Sequence, residues 1–277
     1  MQGKVVVITG ATSGLGQVAA ERLAGMGARI VLIARNKTRA AEQLRRLAAL
    51  ATGQRHTAHY ADLSSIRETR RAATEISGAE PRIDVLINNA GALYGGNRQV
   101  TVDGLELTFA TNHMAYFVLT DGLLDRLQAS APSRIINTAS DRAMVATLNF
   151  DDLQSTRGYN GYAAYCRSKL CNVYFTRVLA KRMQGTNVTV NAWNPGFTRT
   201  AFFQGKPLIV RLVNRIIGGN PRVRAQTLVY LASSPELMST TGTFWAFGKP
   251  GRISATAQDD AQAERLWQLT EKVAAAT

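Results

Sequence analysis

The sequence predicts one α/β domain over residues 1–277, with a parallel sheet that carries helices on both faces. Short apolar runs alternate along the chain with stretches of helical period, which is typical of repeated β-α-β units. The apolar runs are continuous, as expected for strands that are covered on both sides. The predicted strands are Lys4–Thr9, Arg29–Ala34, Thr57–Ala61, Ile83–Asn88, Arg134–Thr138, Val188–Trp193 and Thr243–Phe247.

The segments between these strands carry the helical patterns. Crossovers of this kind place ligands beyond the carboxyl ends of the strands, where the strand order reverses. Two segments do not follow the alternation of strands and helices. Residues 201–219 are predicted as a substrate lid, and residues 248–277 as a C-terminal extension that ends in a surface helix. The predicted crossover helices are Gly14–Met26, Lys37–Ala51, Ser64–Ile76, Gly104–Ser130, Gly161–Met183 and Arg222–Ala232.

The composition is that of a folded protein that needs neither disulfides nor metals. Hydrophobic residues make up 45% of the chain, which argues against disorder. No apolar run reaches the roughly 20 residues of a membrane span, and a strand begins at Lys4, so we expect no signal peptide and a cytoplasmic protein. The chain has 3 histidines, none in a metal-ligand pattern, and we therefore expect no bound metal.

The net charge is strongly positive. The chain has 33 Lys and Arg against 19 Asp and Glu, a formal net charge of +14. Such an excess is found in proteins that bind nucleic acids or membrane surfaces. Here the basic residues are spread from Lys4 to Lys272, and no nucleic-acid-binding motif surrounds them. We interpret the charge as an arginine-rich surface together with a site for an anionic cofactor, and we expect no nucleic-acid partner.

A glycine-rich turn follows the first predicted strand. Gly10, Gly14 and Gly16 lie between that strand and a helix. Gly10 allows a tight turn, Gly14 lets the backbone approach a pyrophosphate, and Gly16 allows close contact of helix and strand. The amides and positive dipole end of the helix then face the phosphates. The sequence thus predicts a Rossmann-type, doubly wound dinucleotide-binding fold, with a phosphate cradle made of Gly10, Thr12, Ser13, Gly14, Leu15 and Gly16.

The end of the second predicted strand indicates which dinucleotide is bound. An acidic residue here would accept hydrogen bonds from both ribose hydroxyls and favour NAD. The sequence instead has Arg35, with Lys37 and Arg39 close by. A guanidinium can bind a 2′-phosphate through two hydrogen bonds. We therefore predict NADP(H) as the cofactor; the alternative is a solvated arginine at the start of a helix.

Six further motifs follow predicted elements in order, and with the glycine-rich turn they resemble the short-chain dehydrogenase/reductase family across nearly the whole chain. Within that family the chain is most similar to the retinol-dehydrogenase-like branch. The motifs are Asp62-Leu63, Asn88-Asn89-Ala90-Gly91, Asn112-His113, Asn137-Thr138-Ala139-Ser140, Tyr165-Cys166-Arg167-Ser168-Lys169 and Pro195-Gly196-Phe197-Thr198.

The resemblance implies further cofactor contacts. It places Asp62, with Leu63 beside it, at the adenine. The remaining contacts that it implies line the cofactor or meet its nicotinamide end, and they are Asn89, Ala90, Gly91, Tyr165, Lys169, Pro195, Gly196 and Thr198.

The Tyr-x-x-x-Lys string carries the predicted chemistry. A phenol, with a pKa near 10, is a poor acid/base at neutral pH unless its anion is stabilised. Lys169 lies one helical turn after Tyr165, so both project from one face and the ammonium lowers the phenol pKa. The resemblance implies that Ser140 donates to the substrate oxygen and that Asn112 holds a water linking Lys169 to solvent. Thr138 is the less favoured alternative to Ser140.

The predicted lid points to a lipophilic substrate. Within residues 201–219 apolar side chains repeat at helical spacing, with basic residues between them. One interpretation is a helix packed on its own core; a second is a wall for a lipophilic substrate; a third is a basic face that makes peripheral membrane contact. The side chains predicted to line the pocket are Tyr94, Met144, Trp193, Phe197 and Phe202.

These residues together predict an NADP(H)-dependent oxidoreductase. It would move a hydride between nicotinamide and a lipophilic carbonyl or alcohol that is retinal-like, steroid-like or aliphatic, with Tyr165 as the acid/base. The alternatives are a catalytically idle NADP-binding regulator and a C=C reductase similar to protochlorophyllide reductases. The resemblance also implies a homodimer or homotetramer, assembled through the helix that carries Tyr165.

Overall fold

The computed structural model describes residues 1–50, 53–196 and 219–277, and these form an eight-stranded sheet between two layers of helices. The strand order is β3-β2-β1-β4-β5-β6-β7-β8. The first seven strands are parallel and β8 is antiparallel to β7. The predicted fold class is confirmed, although β8 was not foreseen. The strands are β1 Val5–Thr9, β2 Arg29–Ala34, β3 Thr57–Tyr60, β4 Val85–Asn88, β5 Ser133–Thr138, β6 Val188–Asn194, β7 Phe244–Ala246 and β8 Lys249–Pro250.

Helices connect successive parallel strands, and most begin within two residues of their predicted start. The prediction for Gly104–Ser130 was wrong in detail, because that stretch starts at Leu107 and contains a π-helical turn, Ala110–Met114. The helices are α1 Gly14–Gly25, α2 Lys37–Leu50, α3 Ile66–Ala79, α4 Leu107–Phe109, α5 Ala115–Ala129, α6 Gly161–Arg182, α7 Pro221–Ser233 and α8 Asp260–Ala275, with short 3-10 turns at Asp141–Val145, Pro235–Leu237 and Thr256–Gln258.

Each face of the sheet has its own apolar core. Along β1 the side chains alternate, so Val6 and Ile8 point to one face and Val5 and Val7 to the other. The first face is covered by α1, α2 and α7. The second is covered by α3, α5 and α6, and α8 packs over α6. Because both faces are covered, the strands are apolar on both sides, which is why the sequence showed continuous apolar runs.

The strand order reverses between β1 and β4, where Ile8 pairs with Ile87. From β1 the chain adds strands to one side and then returns to add β4 on the other. The crossovers on the two sides therefore diverge and leave a crevice beyond the carboxyl ends of these two strands. Gly10 and Asn89 follow the two strands directly and lie at this crevice.

The C-terminal extension packs on its own chain. Trp267 of α8 stacks on Phe175 of α6 at a ring distance of 5.8 Å and meets Phe117 of α5 edge-on at 5.0 Å. The Arg182 guanidinium also lies over the Trp267 ring, at 4.4 Å. Thus α8 covers the outer face of the helix that carries Tyr165. No helix in the described part of the chain is both long and apolar enough to cross a membrane.

Candidate active site

The glycine-rich turn has the backbone that a phosphate cradle needs. Gly10 and Gly14 have φ angles of +67° and +58°, which favour glycine. A Cβ on Gly16 would lie 2.5 Å from the Gly10 carbonyl oxygen, so only glycine lets α1 approach the turn this closely. Ser13 makes no side-chain cap and the first turn of α1 has no acidic residue, so its amides are available to an anion.

A polar brace joins the two strands at the crevice. The Thr9 hydroxyl accepts hydrogen bonds from the backbone amides of Asn89 and Ala90, both at 2.9 Å. The side-chain amide of Asn89 donates back to the Thr9 carbonyl oxygen at 3.0 Å. The Tyr116 hydroxyl holds the Ala90 carbonyl oxygen at 2.8 Å. The Asn-Asn-Ala-Gly strand end is thereby fixed against the cradle, which orders the surface where a dinucleotide would lie.

Basic and acidic groups meet at the end of β2. Arg35 is 75% exposed, and its guanidinium lies 3.9 Å from a carboxylate oxygen of Asp62. The other Asp62 oxygen accepts hydrogen bonds from the amide and the hydroxyl of Ser64, at 2.9 and 2.8 Å. Lys37 lies over the Tyr60 ring at 5.5 Å. Arg35 is thus accessible to a phosphate and close to the residue predicted at the adenine.

Tyr165 and Lys169 project from one face of α6 toward the end of β5. The Lys169 ammonium lies 5.6 Å from the centre of the Tyr165 ring and 5.9 Å from that of Tyr116. It donates to the Thr138 carbonyl oxygen at 3.0 Å and is only 2% exposed. A Cβ on Gly91 would lie 3.3 Å from the Lys169 Nζ atom. The Asn-Asn-Ala-Gly strand end and the Tyr-x-x-x-Lys helix therefore come together, as the sequence motifs predicted.

Burial moves the pKa values of this pair in opposite directions. It raises the pKa of Tyr165 to about 12, against a hydrogen bond with Ser140 that lowers it, so the lowering by Lys169 that the sequence predicted is not found. It lowers the pKa of Lys169 to about 7. Near neutral pH the phenol therefore holds its proton, as an acid for carbonyl reduction must, and burial makes the Lys169 ammonium easier to deprotonate. A negative ligand placed beside Lys169 would favour its charged form.

Ser140 lies where the prediction placed it, at the end of β5 beside Tyr165. Its hydroxyl donates to the Asp141 carboxylate at 3.0 Å and accepts from the Arg142 amide at 3.2 Å. The hydroxyl has a single proton. To donate to a substrate oxygen it must rotate away from Asp141, which is an exposed acceptor.

Asn112 lies in the π-helical turn, and both its side-chain oxygen and its side-chain nitrogen make hydrogen bonds. Its amide oxygen accepts from the Ala92 backbone at 2.8 Å, and its amide nitrogen donates to Ala92 at 2.9 Å and to the Ser168 hydroxyl at 3.0 Å. Its backbone carbonyl oxygen accepts from Asn172 at 2.9 Å. These bonds hold Asn112 against Ala92, Ser168 and Asn172, and its link to Lys169 through a water stays a prediction.

The predicted pocket residues divide into three groups. Tyr94 and Met144 are half-buried near the site, at the first turn of α6 and in the 3-10 turn after Ser140. The prediction for Trp193 was wrong. Its side chain is fully buried on the α1 and α7 face, and its indole donates to the Thr138 hydroxyl at 2.9 Å. Strand alternation turns it away from the site. Phe197, Thr198, Phe202 and the predicted lid up to residue 218 lie outside the described residues.

Two residues beside the Pro195-Gly196 turn, Phe247 and Arg224, were not predicted from the sequence. The Gly196 amide donates to the Asn194 side chain at 2.9 Å, and a Cβ on Gly196 would lie 3.1 Å from the Phe247 ring. The Arg224 guanidinium stacks on that ring at 4.5 Å. Phe247 has a φ of +53°, which is rare for an aromatic residue. Phe247-Gly248 is a two-residue turn between β7 and β8, and its glycine was the one available signal.

The residues present fit a nicotinamide dinucleotide. Its pyrophosphate matches the amides of the glycine-rich turn, and its adenosine end matches the space beside Arg35 and Asp62. Lys169, whose Nζ atom lies beside Gly91, would hold its nicotinamide ribose. Among the described residues, no group of three His, Cys, Asp or Glu side chains is placed to hold a metal ion.

Comparisons with known proteins agree with this geometry. Residues 4–207 match the family model described as short chain dehydrogenase. The chain is 41% identical to human retinol dehydrogenase 14 over 98% of its own length and 86% of that protein. It superposes with a TM-score of 0.77 on a protein from Mycobacterium paratuberculosis, at 28% identity over 99% of this chain and 94% of that one.

A further similar structure contains a bound cofactor. A short chain dehydrogenase from Burkholderia cenocepacia in complex with NADP superposes with a TM-score of 0.72, at 26% identity over 93% of this chain and 98% of that one. With the crevice, the cradle and the Tyr-x-x-x-Lys helix, these likenesses show that the chain belongs to the short-chain dehydrogenase family of oxidoreductases.

Proposed function

We propose that the protein is an NADP(H)-dependent oxidoreductase that interconverts lipophilic carbonyls and alcohols, with Tyr165 as the acid/base. The observation that carries this proposal is the meeting of Tyr165, Lys169 and Ser140 at the end of β5, beside the glycine-rich cradle. An idle NADP-binding protein would have no use for a buried ammonium next to a phenol. Keeping Lys169 buried costs free energy, as its lowered pKa shows.

Each residue has a distinct part in the proposed reaction. When bound, NADPH supplies the hydride that reaches the carbonyl carbon of the substrate. Tyr165 gives its phenolic proton to the carbonyl oxygen, so that the product is an alcohol. Lys169 stabilises the phenolate that remains, and Ser140, once rotated from Asp141, donates to the substrate oxygen. In the reverse direction the Tyr165 phenolate accepts the proton of the alcohol.

A substrate screen tests this function. We expect purified protein with NADPH to reduce aliphatic aldehydes, retinal-like aldehydes and steroid-like ketones, with kcat/KM rising with chain length because each methylene removed from water contributes about 0.8 kcal/mol. The loss of absorbance at the NADPH band follows the reaction. Reduction of small charged carbonyls alone would contradict the lipophilic substrate. Reduction of activated C=C bonds alone would favour the alternative of a C=C reductase.

Arg35 is proposed to select NADP(H) by binding its 2′-phosphate. We expect Arg35→Ala to weaken NADPH binding about tenfold and to leave NADH binding within about twofold, because one charge-assisted bidentate contact is lost. Arg45→Ala is the matched control, since it removes the same charge about two helical turns into α2. Fluorescence titration measures both affinities. Equal losses for the two cofactors would remove this role from Arg35.

The assembly and the location are also proposed. We propose that the protein forms a homodimer or homotetramer and that it is cytoplasmic. Peripheral membrane contact through residues 201–219 is the alternative for its location. Since α8 covers the outer face of α6 through Trp267 and Arg182, the contact surface would contain α8 rather than bare α6. Light scattering on the purified protein gives the mass, and a monomer would contradict this proposal.

A further inference from the structure

A chain of buried polar side chains runs from the C-terminal helix to the Lys169 site. The Thr270 hydroxyl of α8 lies 3.0 Å from His113 Nε2. His113 Nδ1 lies 3.4 Å from Asn172 Oδ1. The Asn172 amide nitrogen lies 2.9 Å from the Asn112 carbonyl oxygen and 3.1 Å from the Thr138 carbonyl oxygen. Thr270, His113 and Asn172 are each at most 1% exposed.

The number of N–H and O–H donors fixes which residue donates in each hydrogen bond from Thr270 to Asn172. Asn172 uses both of its N–H groups on backbone carbonyl oxygens, so its side-chain oxygen is left as an acceptor. His113 must then carry its proton on Nδ1 and donate it to Asn172. His113 Nε2 is left as an acceptor, and the Thr270 hydroxyl donates to it. Burial lowers the pKa of His113 to about 4, in agreement with a neutral ring that has one donor and one acceptor.

The chain ends on an atom that Lys169 also uses. The Thr138 carbonyl oxygen accepts from Asn172 at 3.1 Å and from the Lys169 ammonium at 3.0 Å. Lys169 and Asn172 lie three residues apart on α6, on the same side of the helix. The direction of the Asn172 amide therefore influences where this carbonyl, and with it the ammonium, is held.

The surroundings do not require polar groups at these positions. The His113 ring lies 5.2 Å from the Phe109 ring and 6.2 Å from that of Phe175, within an apolar core. Burying three polar side chains here costs desolvation free energy, which apolar residues of the same volume would avoid. What the polar set adds is a fixed orientation of the bonds to Thr138 and Asn112.

We propose that Asn172, His113 and Thr270 are positioning residues for Lys169, and that α8 acts on the active site through this one chain of hydrogen bonds. The inference deepens the proposed function and rests on it. Its consequence is that the C-terminal helix, which contributes no side chain to the described catalytic group, affects turnover as well as stability.

Two variants at one position test the chain. Thr270→Val has nearly the same shape and lacks the hydroxyl, whereas Thr270→Ser keeps it. We expect kcat of Thr270→Val to fall about tenfold, as for a misplaced catalytic group, with KM for NADPH within about twofold. Thr270→Ser is expected to restore most of the loss. Equal kcat in Thr270→Val and wild type, or equal losses in both variants, would overturn the proposal.

The pH profile gives a readout that a purely structural role would not change. For carbonyl reduction, the alkaline limb of kcat reports loss of the Lys169 charge, because Tyr165, whose pKa burial raises to about 12, still holds its proton there. It is expected to move to lower pH in Thr270→Val, because a carbonyl that is held less firmly stabilises the ammonium less. Among the described residues, the other titratable groups near this site are the Tyr165 and Tyr116 phenols beside Lys169 and the His113 ring beyond Asn172. Asp141, Cys166 and Tyr162 lie around Tyr165. An unmoved limb alongside reduced kcat would overturn the positioning role.

A second series covers the case in which Thr270→Val does not fold. His113→Asn puts an amide N–H near the former Nδ1 position and can keep the bond to Asn172, whereas His113→Leu removes both bonds. We expect the larger loss of kcat in His113→Leu. Equal kcat in the two variants would overturn the proposed role of this hydrogen-bond chain.

Calorimetry separates this proposal from the proposed function. NADPH binding in two buffers of different ionisation enthalpy measures the proton taken up near pH 7, without any turnover. The number of protons taken up is expected to differ between wild type and Thr270→Val, and to return to the wild-type value in Thr270→Ser. Identical uptake in all three proteins would overturn the proposed hydrogen-bond chain. If the wild type reduces no carbonyl, the proposed function fails, and this comparison still tests the chain.

Discussion

Replacing Tyr165 with phenylalanine is expected to lower kcat for carbonyl reduction about a thousandfold and to leave NADPH affinity within about twofold. Phenylalanine keeps the ring that packs beside Lys169 but has no proton to give to the substrate oxygen. Positioned acid/base groups contribute about 10²–10⁴-fold to rates. Stopped-flow measurement of hydride transfer, with fluorescence titration of NADPH, separates the chemical step from binding.

Tyr162→Phe is the matched control for this substitution. Tyr162 lies one turn earlier on the same helix and is 51% exposed, and the substitution removes an identical hydroxyl. We expect its kcat to remain within about twofold of the wild type. Undiminished activity of Tyr165→Phe would exclude Tyr165 as the acid/base and would favour an acid supplied by another group.

The pH dependence of the two directions follows from the same residue. Burial raises the pKa of Tyr165 to about 12 in the free protein, so the phenol is protonated and competent for reduction throughout the neutral range. Oxidation needs the phenolate, whose population increases with pH below that pKa. We therefore expect the rate of alcohol oxidation to rise from pH 7 to 9 while reduction does not.

Gly16→Ala is expected to weaken NADPH binding about tenfold or more. The added Cβ would lie 2.5 Å from the Gly10 carbonyl oxygen and against the Asn89 amide, so the first turn of α1 must move away from the cradle. Overpacking of this kind costs about 1–3 kcal/mol, and a loss of about 1.4 kcal/mol in binding is tenfold. The same substitution should lower the free energy of unfolding. Isothermal calorimetry and urea denaturation measure the two effects.

Gly25→Ala provides the control within the same helix. Gly25 is exposed, and a Cβ there would meet nothing within 4 Å. Alanine is the better helix former, so we expect an unchanged NADPH affinity and a gain of up to about 1 kcal/mol in the free energy of unfolding. NADPH affinity equal to the wild type in Gly16→Ala would show that the close contact of α1 with the turn is not needed for binding.

Local chemistry in the sequence was enough to place much of the site. Gly10 precedes α1, Gly14 and Gly16 lie in its first turn, and the structure gives Gly10 and Gly14 the left-handed φ values that only glycine adopts easily. Tyr165 and Lys169 are one turn apart, and any helix places them on one face. These predictions depend on a single element and its ends, which short-range sequence patterns describe well.

Other predictions failed where they depended on several elements. Trp193 lies near the carboxyl end of β6, so it was expected in the pocket; the structure turns it into the opposite core. The helix predicted from Gly104 to Ser130 contains a π-helical turn, in which Asn112 bonds to Ala92 and Ser168 from other parts of the chain. No local pattern in the sequence reports such partners.

The sequence by itself determined the alternation of strands and helices, the glycine-rich cradle, and the residue types Tyr165 and Lys169 at the spacing that acid/base chemistry needs. Only the tertiary structure decided that α8 packs over α6 and that Thr270 joins His113 and Asn172 beside the Lys169 site. The physical reason is the range of the interactions. Periodicity and spacing act within one element, whereas a buried hydrogen bond between residues 113 and 270 exists only once the helices have packed.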